Sequence, residues 1–185
     1  MRAGIRALVV IAAVAGVVAG GAYAVSAAVQ GPGEPPQTKD FKAELNGYQE
    51  TPAVSSTGFG EFRAKLVDDT TLHYVFTYGG LEGGNSLFAH VHFGTRYVAA
   101  GVSFFLCGGS TKPDPCPNVE GTVEGDVTPA DVIGPNGQGI EPGSFNEILR
   151  AMRAGTAYVN IHTTRWAGGE IRGQINNEDQ KEFGK

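Results

Sequence analysis

Alternating apolar and polar residues recur along the central part of the chain and predict β-strands. In the stretch GEFRAKLV at 60–67, three apolar residues alternate with three charged ones. Side chains two residues apart lie on the same face of a strand, so one face of this segment is apolar and the other is solvated. The stretch LHYVFTY at 72–78 follows after two aspartates and two threonines, and the two segments together predict a β-hairpin.

Six further segments have strand-like patterns, at 41–45, 87–93, 102–107, 119–127, 157–163 and 170–176. The chain also contains 28 glycines. Many short strands separated by glycine-rich turns are typical of all-β domains. The pattern therefore predicts a mainly β fold, an eight-stranded antiparallel Greek-key sandwich or flattened barrel with one short helix.

The predicted helix begins after Ser144, where Ser144 and Glu147 have the spacing of a capping box. Gly155 provides a stop. Between them lies an apolar stripe with helical spacing, formed by Phe145, Ile148, Leu149 and Met152. The segment TPAD at 128–131 predicts a single additional turn.

The N-terminal segment has the pattern of an export signal. Two arginines at positions 2 and 6 precede an uncharged apolar run that extends to residue 29 and contains small residues suited to cleavage. Residues 1–29 are therefore expected to be a signal peptide or a retained membrane anchor, and both place the domain outside the cytoplasm. The rest of the chain is expected to consist of a Pro/Gly-rich linker at 30–40, a β domain at 41–176 and a polar tail at 177–185.

The two cysteines, Cys107 and Cys116, lie close together in sequence. In an exported chain this spacing predicts a disulfide that closes a short loop. The formal net charge is −5, and the chain has no cluster of Lys and Arg. Nucleic acid and anionic lipid are therefore excluded as expected partners, and membrane contact is expected only through an uncleaved N-terminal segment.

Histidines provide the candidate site. His90 and His92 share one face of a predicted strand, and His162 lies on the polar face of another together with Asn160. Three imidazoles from two strands suit a copper or zinc ion. The alternative is a structural cluster in which the rings make hydrogen bonds beneath a loop. His73 lies in a hairpin strand, and we expect it at the surface.

The segment GGEIRGQI at 168–175 predicts a strand on which Glu170, Arg172 and Gln174 point outward. They form either a polar ladder or a set that supports the histidines, in which Glu170, Arg172 and Asn160 orient the imidazoles. Trp166 in the preceding loop is a candidate ligand contact or a cover for the edge of the core. The chain has none of the motifs of hydrolases, phosphate-binding loops or calcium loops, so an enzymatic role is not the expected one.

The order of motifs resembles that of the CHRD domain, the module named for chordin and present in many exported bacterial proteins. The resemblance covers residues 41–176 through FKAELNGYQETPAV, GFGEFRAKL, LHYVFTYGGL, AHVHFG, LRAMRAGTAYVNIHT and GGEIRGQI. It implies a β-rich exported domain whose ligand the resemblance does not define. We expect a binding or structural role, with an extracellular protein or glycan as the partner.

A weaker resemblance relates the chain to the copper/zinc superoxide dismutases, which are also eight-stranded Greek-key proteins. It implies that His90, His92 and His162 are copper ligands and that Arg172 lies near them. The chain departs from that family because it has no histidine between Phe93 and Ile161. The function expected first is thus a non-catalytic binding or structural domain, and the alternative is a copper-binding protein with dismutase-like activity.

Overall fold

A computed structural model describes residues 38–175, in which eight antiparallel strands form one sheet. The predicted signal or anchor segment at 1–29, most of the linker at 30–40 and the tail at 177–185 lie outside the described residues. The strands are β1 Asp40–Asn46, β2 Phe59–Asp68, β3 Thr71–Gly79, β4 Ser86–Phe93, β5 Gly101–Cys107, β6 Gly121–Val127, β7 Ala157–Thr163 and β8 Ile171–Gln174. The mainly β prediction is confirmed, and each predicted strand is present.

The sheet curls into a nearly closed barrel with the strand order β5-β4-β7-β8-β1-β2-β3-β6. The edge strands β5 and β6 lie next to each other. The chain passes from β3 to the hairpin β4–β5 and returns to place β6 beside β3, which is a Greek-key connection. The Tyr74 hydroxyl on β3 donates to the Leu106 carbonyl on β5 (2.8 Å) and joins the two sides of the barrel.

Apolar side chains from every strand fill the interior of the barrel, because alternate residues point inward. The helix, α1 Phe145–Arg153, lies between β6 and β7 in sequence and buries its predicted apolar stripe. Among residues 38–175, no helix is long and apolar enough to cross a membrane.

The predicted capping box at the start of α1 is wrong. The Ser144 side chain makes no cap hydrogen bond, because its backbone (φ −76°, ψ 61°) does not have the extended conformation of a usual N-cap. The Glu147 side chain instead accepts a hydrogen bond from Arg150. A carboxylate cap forms earlier, at the predicted turn, where the Thr128 backbone amide and hydroxyl both donate to Asp131.

The predicted disulfide is confirmed between Cys107 and Cys116, both of which are buried. It fixes the start of the long connection from β5 to β6. The Tyr78 hydroxyl donates to the Pro117 carbonyl and anchors the same connection on β3.

We expect the double variant Cys107→Ser/Cys116→Ser to fold and to lose about 2 to 3 kcal/mol of unfolding free energy, because the cross-link restricts the unfolded chain over a loop of roughly ten residues. Urea unfolding measures the loss, with Ser110→Ala in the same loop as the control. A loss below about 0.5 kcal/mol would show that other contacts hold the connection without the disulfide.

Candidate functional site

The outer surface of the barrel differs between its two halves. Strands β1, β2 and β3 alternate between buried and more exposed residues, as expected for a sheet with one solvated face, and β6 alternates between half-buried and exposed residues before its buried last residue. All seven residues of β7 are buried, and so are all four residues of β8. Three loops, at 47–57, 94–100 and 164–169, contact the outward side chains of β7, β8 and the neighbouring β4.

The three histidines converge beneath these loops. His90 and His92 extend from β4, and His162 extends from the adjacent strand β7. Their exposed fractions are 3%, 7% and 7%. The ring centroid of His90 lies 4.4 Å from that of His92 and 4.6 Å from that of His162. One ligand nitrogen from each ring lies within 4.8 Å of the other two. We call these three residues the histidine cluster.

Loop carbonyls orient two of the rings. The Nδ1–H of His92 donates to the Ala100 carbonyl (2.7 Å), and the Nδ1–H of His162 donates to the Ala167 carbonyl (2.8 Å). Oδ1 of the Asn160 side chain lies 3.1 Å from Nε2 of His92, so Asn160 contacts the cluster. Among residues 38–175, Nδ1 of His90 and Nε2 of His162 have no hydrogen-bond partner, although both atoms are buried.

Burial keeps the cluster uncharged. Desolvation, with smaller contributions from the neighbouring histidines, lowers the pKa of His90 to about 2. Desolvation also lowers the pKa of His92, to about 4, and that of His162. All three imidazoles are therefore neutral near pH 7, and each carries a lone pair on one nitrogen.

Aromatic side chains enclose the cluster. Phe88 packs against His162 with ring centroids 4.6 Å apart, and Phe105 lies edge-on to His90 at 5.3 Å. Tyr158 stacks on His92 at 4.5 Å. The Arg172 guanidinium lies 3.3 Å from the centroid of the Tyr158 ring, a cation–π contact. Arg172 thus packs on Tyr158, and Tyr158 in turn stacks on His92.

Glu170 does not orient a histidine, so that hypothesis is wrong. Its carboxylate is fully buried and accepts four other hydrogen bonds. The donors are the Ser56 hydroxyl (2.6 Å), the backbone amides of Glu82 (2.7 Å) and Gly83 (3.0 Å), and the Thr163 hydroxyl (2.9 Å). Through these bonds the carboxylate joins the loop at 47–57 and the loop between β3 and β4 to strand β7.

Arg172 and Gln174 lie on the outward face of β8, as predicted, but they are buried rather than solvated. The Arg172 guanidinium donates to the Thr95 carbonyl (3.0 Å) and lies 3.5 Å from the Thr51 hydroxyl. The sequence pattern suggested a solvated ladder because it does not show that loops cover this face.

Glu50 is the residue at the site that sequence reasoning missed. Its Oε1 accepts a hydrogen bond from the Asn160 amide (3.5 Å), and its Oε2 accepts one from the Thr51 amide (3.3 Å). Burial raises the pKa of Glu50 to about 7, a shift that the Thr51 amide and Arg172 partly oppose. A Cβ on Gly169 would lie 2.2 Å from Glu50 Oε1. The only signal in the sequence was the position of Glu50 within the quoted motif FKAELNGYQETPAV.

Trp166 lies in the loop at 164–169 and is partly exposed. The Arg165 guanidinium lies 4.6 Å from the centroid of its ring. Trp166 is one residue before Ala167, whose carbonyl orients His162. Its role as a ligand contact stays a prediction. His73 is partly exposed on β3, as predicted, and lies between Glu124 and Asp126.

A sequence model of the CHRD domain matches residues 41–175, and the chain therefore belongs to the CHRD domain family. This membership supports a general role as a binding or structural domain. Neither a search of curated proteins nor a search of solved structures found a match. The weaker resemblance to the copper/zinc superoxide dismutases stays a prediction.

We expect Glu50→Gln to remove a pH dependence of folding stability. The folded-state pKa, about 7, lies above the unfolded value of 4.5. The contribution of Glu50 is therefore fully present below pH 4.5 and is lost as the pH rises through 7, with a total on the order of 3 kcal/mol. The buried histidines act in the opposite direction below pH 6.5, but their effect cancels in the difference between wild type and variant.

Urea unfolding at about pH 5 and about pH 8 measures this difference, and the wild type should lose stability relative to Glu50→Gln between the two values. The exposed residue Glu44 provides the control through Glu44→Gln. Parallel pH profiles of wild type and Glu50→Gln would contradict the assignment of a raised pKa to Glu50.

Proposed function

We propose that this chain is an exported, non-catalytic binding domain of the CHRD family that recognises an extracellular protein or glycan. The observation that carries the proposal is the set of three loops fixed over one face of the barrel. Loops held by a rigid scaffold are the usual place for binding residues.

Export is supported by two independent features. The N-terminal sequence has the charge and apolar pattern of a signal peptide or anchor. The Cys107–Cys116 disulfide is suited to an oxidising compartment outside the cytoplasm.

A binding surface is supported by exposed aromatic residues on the same loops. Tyr48 is 73% exposed on the first loop, and Tyr97 is 77% exposed on the second. Tyr97 has a backbone φ of 65°, a conformation that residues other than glycine rarely adopt and that is often maintained at functional sites. Tyrosine side chains provide contact area to proteins and to sugars at low cost in conformational entropy.

A non-catalytic role is supported by how the polar groups near the loops are used. The Glu170 carboxylate accepts four hydrogen bonds, and the hydroxyls of Ser56 and Thr163 both donate to it. These groups hold the loops in place, so they are engaged in structure and are not presented to a substrate.

Copper-dependent superoxide dismutation is the second candidate function, because three neutral imidazoles converge. The enclosure of the rings does not favour turnover. His90 is 3% exposed and packs against Phe105, so an ion bound there would be covered rather than open to a substrate. The geometry supports the holding of an ion more than catalysis by it.

We expect the full-length chain, expressed in bacteria, to appear outside the cytoplasm with its disulfide formed. Cell fractionation and mass spectrometry measure its location, its N-terminus and its thiol content. Val9→Asp/Ile11→Asp, which interrupts the apolar run, should keep the protein in the cytoplasm with reduced cysteines. Wild-type protein retained in the cytoplasm with two free thiols would contradict export.

We expect Tyr48→Ser/Tyr97→Ser to weaken binding to an extracellular ligand by at least tenfold, because exposed aromatic residues often dominate binding energy. The full-length protein is applied to immobilised extracellular proteins and polysaccharides, and retention is measured. Val67→Ser is the matched control, because Val67 is 55% exposed on β2, away from the loops. Equal retention of wild type and the tyrosine variant, or no ligand bound by the wild type, would contradict the proposed surface.

A further inference from the structure

Two buried nitrogens of the histidine cluster lack partners. Nδ1 of His90 and Nε2 of His162 make no hydrogen bond within residues 38–175. A buried polar atom without a partner is destabilising, and most such atoms in folded proteins are satisfied. The two atoms belong to rings whose centroids lie 4.6 Å apart, so one bound species is able to contact both rings.

The hydrogen bonds of the other ring atoms prepare the cluster for a metal ion. His92 and His162 both use Nδ1–H to bond a backbone carbonyl, which leaves the lone pair on Nε2. Metal-binding histidines usually donate their second nitrogen to a carbonyl or carboxylate in this way, which fixes the tautomer and the ring orientation. Oδ1 of Asn160 faces Nε2 of His92 at 3.1 Å, and because an amide oxygen and an imidazole lone pair repel each other, a cation bound at Nε2 would relieve this contact.

The distances suit a single ion after small rotations of the rings. The three ligand nitrogens lie within 4.8 Å of one another. Zinc–nitrogen bonds are about 2.0 to 2.1 Å long, so three ligand nitrogens around one ion are separated by about 3.5 Å. The rings must therefore approach one another by at most roughly 1.3 Å, which modest changes of side-chain torsion supply.

The donor set selects the class of metal. Imidazole nitrogens suit copper and zinc, whereas calcium and magnesium require oxygen ligands. We infer that His90, His92 and His162 form a mononuclear three-imidazole site for a copper or zinc ion. The site ties β4 to β7 beneath the loops and is independent of the proposed export and ligand-binding role.

The test titrates the full-length, chelator-treated chain with copper(II) and, separately, with zinc(II). We expect one tightly held equivalent per chain after dialysis and a higher melting temperature, because an ion that binds only the folded state stabilises it. The copper(II) form should show electron paramagnetic resonance coupling to three nitrogens. The metal content of the protein isolated from cells identifies the resident ion, because copper(II) binds nitrogen ligands more tightly than zinc(II) at almost any site.

Two substitutions remove ligands while preserving the local hydrogen bonds. His162→Asn places an amide where Nδ1 donates to Ala167 but removes Nε2, and His90→Gln removes Nδ1. Each should lower metal affinity by more than the 10- to 100-fold loss typical of outer partners. His73→Gln changes a histidine on the solvated half of the barrel and should retain the full equivalent.

Equal metal binding by wild type and the His162→Asn/His90→Gln variant would overturn the inference. Circular dichroism of each variant in the presence of chelator establishes that it is folded. If the double variant does not fold, the electron paramagnetic resonance spectrum of the copper(II)-loaded wild type provides the test. Coupling to three nitrogens supports the site, and coupling to fewer overturns it. Normal export with no metal bound would overturn the site alone, whereas a metal-binding protein retained in the cytoplasm would overturn only the proposed function.

Discussion

The buried carboxylate of Glu170 is the interaction on which the loop-covered half of the barrel depends. Its four donors come from three separate segments: the loop after β1, the loop after β3 and strand β7. A buried carboxylate without donors is strongly destabilising, so β8 can pack only when these segments assemble around it. The arrangement also requires Gly83, because a Cβ there would lie 1.8 Å from the Thr163 hydroxyl oxygen. One charged side chain thereby fixes the loop at 47–57 and the loop after β3 against β7.

The order imposed by Glu170 extends to the histidine cluster through β8. Arg172, two residues further on, shares the outward face of the strand and bonds the loop at 94–100 through the Thr95 carbonyl. Its guanidinium packs on Tyr158, and Tyr158 in turn stacks on His92. Because Ala100 of the same loop accepts from His92, the position of the loop and the orientation of the ring are determined together.

Local patterns predicted most of the fold because strand alternation, the apolar stripe of α1 and the spacing of Cys107 and Cys116 depend on nearby residues. The same alternation placed His90, His92 and His162 on the polar faces of their strands. The partners of Glu170 and the contact of Glu50 with Asn160 could not be predicted in this way, since 114 residues separate Glu170 from Ser56 and 110 separate Asn160 from Glu50. The same limitation explains Arg172 and Gln174: alternation identified their face but not the loops that bury it.

Burial makes the histidine cluster energetically costly if its role is only structural. A purely structural role would favour apolar side chains, or imidazoles whose nitrogens are all bonded, because each unpartnered buried polar atom costs about 1 to 3 kcal/mol. The protein instead fixes the rings of His92 and His162 with loop carbonyls, while one nitrogen each of His90 and His162 has no partner among the described residues 38–175. Fixed ring orientations and unbonded lone pairs contribute little to folding stability. They reduce the rearrangement of the side chains that binding of a ligand would require. These features support the proposed metal site over a purely structural role for the cluster.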